Sequence, residues 1–508
     1  MGALRGTGRG GRGGEGRVLR SARIVALAIG ASLLGGSGCA DILGIEKRTF
    51  VGGASCETTV DCEGNGSFCV AGRCAETPAD SDHCEVLEPE EHARVSDYAF
   101  SSSSVVLGAM VLEGTSDDGP RVEAMRLGVE EMNRGVGIGQ GRQLVMVGCD
   151  YGAEGSLEDG LDYLARDLGA TVVIGATSSS TTEAAIGHII SREYPTAFVS
   201  SFSTSPALST IADEGLLWRT APNDEGQAAV LANIIVDDQD VTKLAIIYVS
   251  DSYGTGLQQI VNGAVDAGGK DAAPFGYDAS DVAESFTTLM TDVGDYGPDG
   301  VLVIAVDPAN VIGIYQAMVD AGLSVNAHFL ADAAKAEPLL DPGLSTEVAA
   351  IIDGALGTAP FHSTAQHYET FADNLNGVGV DPNGTSFLAQ SYDAAYLAGY
   401  GLAYAQSADA PPDGFAVVEG FSRVVDPDAA DVVLVGVTDF PGAVTVLTSE
   451  DADRRIEIEG TGSPLDFDVT TGDAPGNYEI WRRVAGEFQT CAVCSADAAS
   501  CDVSGCGP

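Results

Sequence analysis

The chain has 508 residues, enough for two or three domains, and its apolar share of 45% allows a sizeable core. Acidic residues outnumber basic ones 74 to 25, for a formal net charge of −49, with only four lysines (Lys47, Lys243, Lys270 and Lys335). That balance leaves no basic surface to grip nucleic acid and suits a salty medium, where charge repulsion is screened.

Arg5, Arg9, Arg12, Arg17, Arg20 and Arg23 open the chain. The apolar run Ile24 to Leu34 follows, too short to span a bilayer, and then Gly35-Gly36-Ser37-Gly38 before Cys39. This order predicts an export signal over residues 1–38. It resembles a bacterial lipoprotein signal, which implies that Cys39 becomes a lipidated first residue and that the membrane is met through this anchor only. Gly36 stands where that pattern usually has Leu, and ordinary cleavage with an unlipidated Cys39 is the alternative.

Residues 39–104 read as a tether that carries a disulfide-rich module, CETTVDCEGNGSFCVAGRC at 56–74, too short for a hydrophobic core of its own. Cys56, Cys62, Cys69, Cys74 and Cys84 crowd this end. Cys491, Cys494, Cys501 and Cys506 crowd the other, in a tail over 489–508, and Cys149 stands between. In an oxidising compartment these ten are staples. Cys491-x-x-Cys494 could also serve zinc or redox chemistry, but no histidine lies near it, which favours a disulfide. Pairing within each cluster would leave Cys84 with Cys149, one connectivity among several.

Regular alternation follows. Val105–Leu112 reads as a strand, and Pro120 opens a helix whose Val122, Met125, Val129 and Met132 share a face. The run GVGIGQG at Gly135–Gly141 superficially matches a dinucleotide fingerprint. It follows a helix and precedes the strand Gln143–Val147, the reverse of what that motif requires, so it is rejected. Leu157–Leu168 reads as a helix. Thr171–Ile174 is a β-branched strand that stops at Gly175. Ser178, Ser179, Ser180, Thr181 and Thr182 then open a helix carrying Ile186, Ile189 and Ile190. Ala197–Ser200 is a second short strand, ending in Ser201, Ser203, Thr204, Ser205 and Pro206. Two strand ends rich in hydroxyls and free N–H groups, beside a helix N-terminus, would make a small polar pocket for a carboxylate or phosphate. The same hydroxyls serve equally as helix caps.

Trp218–Asn223 breaks the rhythm and a second series begins. The strand Lys243–Val249 ends in Ser250-Asp251-Ser252-Tyr253-Gly254, before a helix through Val261 and Val265. Val282–Val293 reads as a helix, Val301–Val306 as a strand ending at Asp307, Val311–Ala321 as a helix, and Ala327–Leu330 as a strand ending near Asp332. Beyond Gly357 the pattern loosens, with helices expected at Ser386–Ala405 and Phe415–Arg423 and strands at Arg455–Phe467 and Tyr478–Val484. Two strand–helix series predict an α/β fold of two Rossmann-like lobes, each a parallel sheet flanked by helices.

VVIGATSSSTTEAA, TAFVSSFSTSPALS, LWRTAPNDEGQ, LAIIYVSDSYGTG, QSYDAAYLAGYGLA and GSPLDFDVTTGDAPGNYEIW occur in this order. Together they resemble the type I periplasmic binding proteins, in particular the leucine/isoleucine/valine-binding branch, from about Val105 to Phe488. The resemblance implies a clamshell whose lobes are joined by three crossovers, near Trp218–Pro222, Gly357–Pro360 and Thr470–Gly476. Lobe 1 would comprise 105–221 and 361–470, and lobe 2 would comprise 222–360 and 471–488. It also implies a small polar, amino acid-like ligand held by Ser179, Thr204 and the Phe202 backbone in the first lobe, and by Tyr253 and Asp332 in the second. Asp307 stands where the family often has a tyrosine. A second acid there could favour a polyamine or a basic side chain, or be a solvated loop residue.

The function so implied is an extracytoplasmic solute-binding receptor serving an ABC permease, without cofactor or metal. The alternative is a sensory or scaffold surface lipoprotein on the same fold. An enzyme is disfavoured, since His83, His92, His188, His328, His362 and His367 sit in no metal-spaced motif and no nucleophile turn is visible. His188, on an apolar helix face, reads as a packed residue.

Overall fold

The computed structural model describes Phe50–Ser55, residues 67–70 and 73–76 and, with short interruptions, residues 79–506. The export signal and Cys39 lie outside the described residues, as do Cys56, Cys62 and Cys501. Strands β1 (Phe50–Ser55), β2 (Ser67–Val70) and β3 (Arg73–Glu76) form a small antiparallel sheet in the order β1-β3-β2, in which Cys74 is disulfide-bonded.

The first lobe begins with β4 (Cys84–Glu88), β5 (Ala93–Arg94), β6 (Ser104–Val111), α1 (Asp118–Arg134) and β7 (Gln143–Asp150). It continues through α2 (Leu157–Leu161, extended by a π-helical turn to Asp167), β8 (Val172–Ile174), α3 (Ser179–Ser191), β9 (Ala197–Ser200) and β10 (Leu217–Arg219). The sheet order is β10-β9-β8-β6-β7-β4-β5, parallel from β10 to β7 and antiparallel at the β4–β5 edge. After β6 the chain turns to β7 on one side and then to β8 on the other. The carboxyl ends of β6 and β8 are therefore a switch point, where such sheets open a crevice.

The second lobe is a similar series: α4 (Asp224–Asp237), β11 (Lys243–Val249), α5 (Ser252–Ala267), β12 (Asp271–Tyr277), α6 (Ala283–Tyr296), β13 (Gly300–Ile304), α7 (Pro308–Asp320), β14 (Ala327–Leu330), α8 (Thr346–Gly354) and β15 (Leu356–Phe361). The chain then returns to the first lobe as α9 (Gln366–Gly377), α10 (Leu388–Gln406), α11 (Gly414–Ser422), β16 (Val432–Leu434), α12 (Phe440–Leu447) and β17 (Glu457–Glu459), with β16 and β17 paired in parallel. It crosses a third time to add β18 (Asn477–Val484) and β19 (Glu487–Ser495) to the second sheet, whose order is β12-β11-β13-β14-β15-β18-β19. Each lobe closes its own core. Helix α10 is buried from Leu388 to Ala405, enclosed with α1 and α9 against the first sheet. The second core runs from Leu231 and Ile246 through Tyr315 to Trp481.

Four expectations change. Residues 75–104 contain β4 and β5 and are not a free linker. Val86 and Leu87 enter the core, and Cys84 is bonded to Cys149 on β7. This strand is five residues long and carries two glutamates, so its alternation is weak, and its longer ladder is with β7, far away in sequence. The 489–508 tail likewise supplies most of β19, fastened by the Cys491–Cys506 disulfide, with Cys494 also bonded. The second crossover follows Phe361, because Gly357–Pro360 is ladder-paired with β18. Gly357 is needed there: a Cβ would lie 2.1 Å from the Trp481 ring. Of Arg455–Phe467 only Glu457–Glu459 is strand.

Candidate functional site

The β8–α3 and β9–β10 turns meet at the cleft and are stitched together by hydroxyls. Ser178 is the N-cap of α3, its side chain accepting from the Thr181 N–H. That leaves Ser179 free for another task, and its Oγ accepts the Ser205 N–H at 3.1 Å. Thr182 and Ser203 share a hydroxyl–hydroxyl bond of 2.8 Å. Ser205 Oγ reaches across the cleft and donates to the Ser252 carbonyl at 2.9 Å.

The opposite wall comes from the second lobe. Asp251 caps α5, accepting the Gly254 N–H at 2.8 Å, with the Ser180 hydroxyl from the first lobe also on it. Tyr253 follows in the first turn, and its hydroxyl donates to Asp332 Oδ1 at the end of β14. Ser386, leading into α10, donates from Oγ to the Asp332 carbonyl at 2.9 Å and from N–H to the Lys335 carbonyl at 3.0 Å.

Ser178, Ser179, Phe202, Tyr253, Val306, Asp332 and Ala333 enclose a cavity of about 10 Å³. This is about the room of one water molecule, so an amino acid enters only when the lobes part. The apolar wall is Phe202, edge-on to Phe387 at 4.6 Å between centroids, with Ala221, Val306 and Ala333 beside it. The Arg121 guanidinium lies 4.0 Å above the Phe202 ring, and its Nε donates to the Ser386 carbonyl at 3.3 Å.

Beneath this cavity lies a buried polar layer. Asp224, the first residue of α4, is 0% exposed and Asp332 is 2% exposed. The Gln227 amide, oriented to satisfy its neighbours, donates to Asp224 Oδ1 at 2.9 Å and accepts from the Thr358 hydroxyl at 3.0 Å and the Asp332 N–H at 3.1 Å. Burial, reinforced by the negative charge of Asp332, pushes the Asp224 carboxyl well above the usual carboxylate range, against the opposing pull of Thr204 and Arg219. Burial also raises Asp332, while Tyr253, the Ala333 N–H and Gln227 favour its ionised form.

The six residues expected at the site are thus placed as follows. Ser179, Tyr253 and Asp332 line the cavity. Phe202 lines it too, and its ring forms part of the apolar wall, a role beyond the backbone contact expected of it. Thr204 is buried outside the lining, with its carbonyl accepting the Asp224 N–H at 2.8 Å across the lobes. Asp307 is corrected: it is an exposed N-cap of α7, accepting the Ala309 N–H at 2.8 Å, and the neighbouring Val306 is what reaches the cavity. A helix start needs a cap, which accounts for an acid there. Asp224, Gln227, Arg121 and Phe387 were not foreseen. The first two lie in the quoted LWRTAPNDEGQ segment, where an acid and an amide three residues apart on a helix face were the available signal. Among the described residues no group of His, Cys, Asp and Glu could hold a metal ion, and His188 is hydrogen-bonded to Asp162 at 2.7 Å.

The cleft is held by the crossovers. Arg219, at the end of β10, pairs with Asp473 of the third crossover at 2.6 Å, and its Nη1 donates to the carbonyls of Ser203 and Ser205 at 3.3 and 2.8 Å. Its N–H donates to the Gly472 carbonyl at 2.8 Å. Gly472 has φ +69°, and a Cβ there would meet the Leu217 carbonyl oxygen at 2.2 Å, so the crossover lies against β10 only because it is glycine.

A family profile described as periplasmic binding protein matches residues 114–434, more than half of the chain. The chain belongs to this family. The leucine-binding protein LivK of Thermotoga maritima superposes with a TM-score of 0.61 at 14% identity, covering 77% of this chain and 99% of that one. A solute-binding protein of an ABC transporter from R. palustris, solved with 4-hydroxybenzoate, superposes with a TM-score of 0.58 at 13% identity, covering 76% and 95%. The fold is therefore the type I periplasmic-binding-protein clamshell. The chain is also 33% identical over 144 residues to the chemotactic signal transduction system substrate-binding protein BasB of Halobacterium salinarum, across 27% of this chain and about a third (34%) of that protein's length. Family and fold are those of binding proteins, and the family implies an extracytoplasmic location.

Proposed function

We propose that the protein is a surface-anchored receptor that captures an amino acid, or a similar small zwitterion, by closing two lobes over it. The observation that carries the reading is that Ser179 and Phe202 from one lobe and Tyr253 and Asp332 from the other line a single cavity. A zwitterion has a carboxylate for the hydroxyl-rich turn and helix N-terminus, and an ammonium for Asp332 and Tyr253. The wall of Phe202, Phe387 and Val306 suits an apolar side chain better than a polyamine. Hinge closure about the crossovers excludes water and commits the ligand. Delivery to an ABC permease is the proposed use, and Cys39, lipidated after export, is the proposed anchor.

Thermal unfolding with a panel of the common amino acids tests the reading. A true ligand at a hundred times its Kd stabilises by about 2.7 kcal/mol. 4-Hydroxybenzoate is the control for an aromatic acid without an ammonium. No stabilisation by any amino acid would sink the proposal. Radiolabelled lipid should enter the wild-type protein and not Cys39→Ser.

A second reading, sensory rather than transport, is favoured by the likeness to a chemotactic substrate-binding protein. It leaves the cleft chemistry unchanged and differs in the partner. Uptake of the bound amino acid lost on deletion of the gene supports transport; lost chemotaxis with intact uptake supports sensing.

A further inference from the structure

Asp224 and Asp332 are both buried, Asp332 lining the cavity and Asp224 behind it, and the cations around them do not match. The Gln227 amide joins the two residues, donating to Asp224 Oδ1 and accepting the Asp332 N–H. Asp224 Oδ2 is buried, with no hydrogen-bond donor aligned on it among the described residues. The Thr204 hydroxyl lies beside Asp224, and the titratable groups facing the pair are Asp251, Tyr253, Tyr478 and Arg219. Asp251 is a third acid. Tyr253 donates to Asp332, and Tyr478 donates its hydroxyl to the Asn223 carbonyl. Arg219 is the one cation of that set, and its guanidinium is spent on Asp473, the Ser203 and Ser205 carbonyls and Ser209. Two like charges in a site of this kind do not both ionise readily, and their protons belong to the pair.

We propose that the Asp224–Asp332 pair holds one proton in the closed cleft and gives it up when a ligand ammonium arrives, so that each capture releases a proton. The inference rests on the proposed function, in which the ammonium meets Asp332. In the exchange the carboxyl O–H bond breaks, its electron pair stays on oxygen, and the proton passes to the solvent. The ammonium keeps all its hydrogens and stands as the counter-charge to two carboxylates. Burial raises both carboxyls, and the charge of Asp332 raises Asp224 further. The consequence is specificity: an anion without an ammonium cannot displace the proton, and ligand affinity falls as pH falls, by up to tenfold per pH unit for one linked proton.

Calorimetry tests this with the common amino acid that gives the largest thermal shift as probe, near neutral pH, in phosphate and in Tris, whose protonation heats differ. A neutral amino acid keeps both its charges from about pH 5 to 7, so any proton counted leaves the protein. The expected result is release of about one proton per ligand by the wild type and none by Asp224→Asn. Binding without proton release, or equal release by both proteins, overturns this inference and leaves the proposed function standing. No binding by any amino acid overturns both. Should Asp224→Asn fail to fold, the wild-type affinity decides alone: tighter binding from pH 5.5 to 7.5 supports the pair, and a flat profile refutes it.

Discussion

Arg219 ties the ligand turns to the hinge, and its removal offers the most demanding test of that connection. The side chain is 1% exposed. It donates from Nε to Asp473 Oδ1 at 2.8 Å, from Nη2 to Ser209 Oγ at 2.7 Å, and from Nη1 to two carbonyls of the Ser203–Ser205 turn. Arg219→Met keeps the apolar stem and strands these acceptors. Charged hydrogen bonds taken singly, at about 1.5–3 kcal/mol each, would add to an unrealistic total. They share one guanidinium and relax together, so the appropriate figure is that for breaking a buried ion pair, about 3–5 kcal/mol. Asp473 still accepts from Ser209 Oγ at 2.6 Å and is partly exposed, which places the expectation near about 3 kcal/mol. Urea unfolding measures it. Because two apolar partners strand no charge, Arg219→Met with Asp473→Leu should cost less than the two single changes summed. A single-variant loss below about 1 kcal/mol, the range of an exposed pair, would refute the reasoning. Ligand affinity should fall with Arg219→Met, since the carbonyls on either side of Thr204 lose their fixed donor.

Three further outcomes follow from other parts of the molecule. Replacing Cys84 and Cys149 by serine opens a covalent loop of sequence separation 65 and should cost about 2–4 kcal/mol in urea unfolding under non-reducing conditions; an unchanged midpoint would refute a holding role for β4. Tyr253→Phe removes the hydroxyl that donates to Asp332 and should weaken amino acid binding by roughly tenfold with unchanged circular dichroism; undiminished affinity would exclude Tyr253 from the site. Burial, with the added repulsion of Glu130, pushes the Glu88 carboxyl up to about 7. A folded pKa above the unfolded one means that stability is full below about pH 4.5 and is lost as pH rises through about 7. Glu88→Gln should therefore match the wild type near pH 4 and exceed it at pH 8 by about 1–2 kcal/mol once solvent screening is allowed for, and equal unfolding curves at pH 8 would contradict this.

The lobe architecture was legible because its strands are short, buried β-branched runs alternating with amphipathic helices. Ala197–Ser200, Lys243–Val249 and Ala327–Leu330 form over the residues expected. What escaped notice lacks that signature. β4 is a short strand with acidic residues, and β12 (DAAPFGY) is an edge strand with a proline and a single buried residue. β15 reads LGTAPF and β19 reads EFQTCAVCS; both depend on pairing with β18, far from β15 in sequence. The cavity-lining residues on strand-end turns were findable, since topology alone brings those turns together. Asp224 and Gln227 offered only their helical spacing as a signal, because they follow a crossover, and only the lobe geometry shows that the start of α4 backs onto Asp332.

The hydroxyls of the first-lobe turns posed a choice between helix caps and ligand contacts, and the structure divides the labour residue by residue. Ser178 and Ser205 cap, accepting from Thr181 and Ala207 N–H groups. Ser179 and Ser203 bind turn to turn, and Ser205 also clasps the second lobe. A cap satisfies an N–H that would otherwise need water, so capping by Ser178 lets the start of α3 sit in a cleft that excludes water. The cap is then a precondition of the site. Ser178→Ala should accordingly loosen the α3 start and weaken ligand capture together, whereas Asp307→Ala, which removes a cap away from the cavity, should lower stability by about 1 kcal/mol and leave capture unchanged.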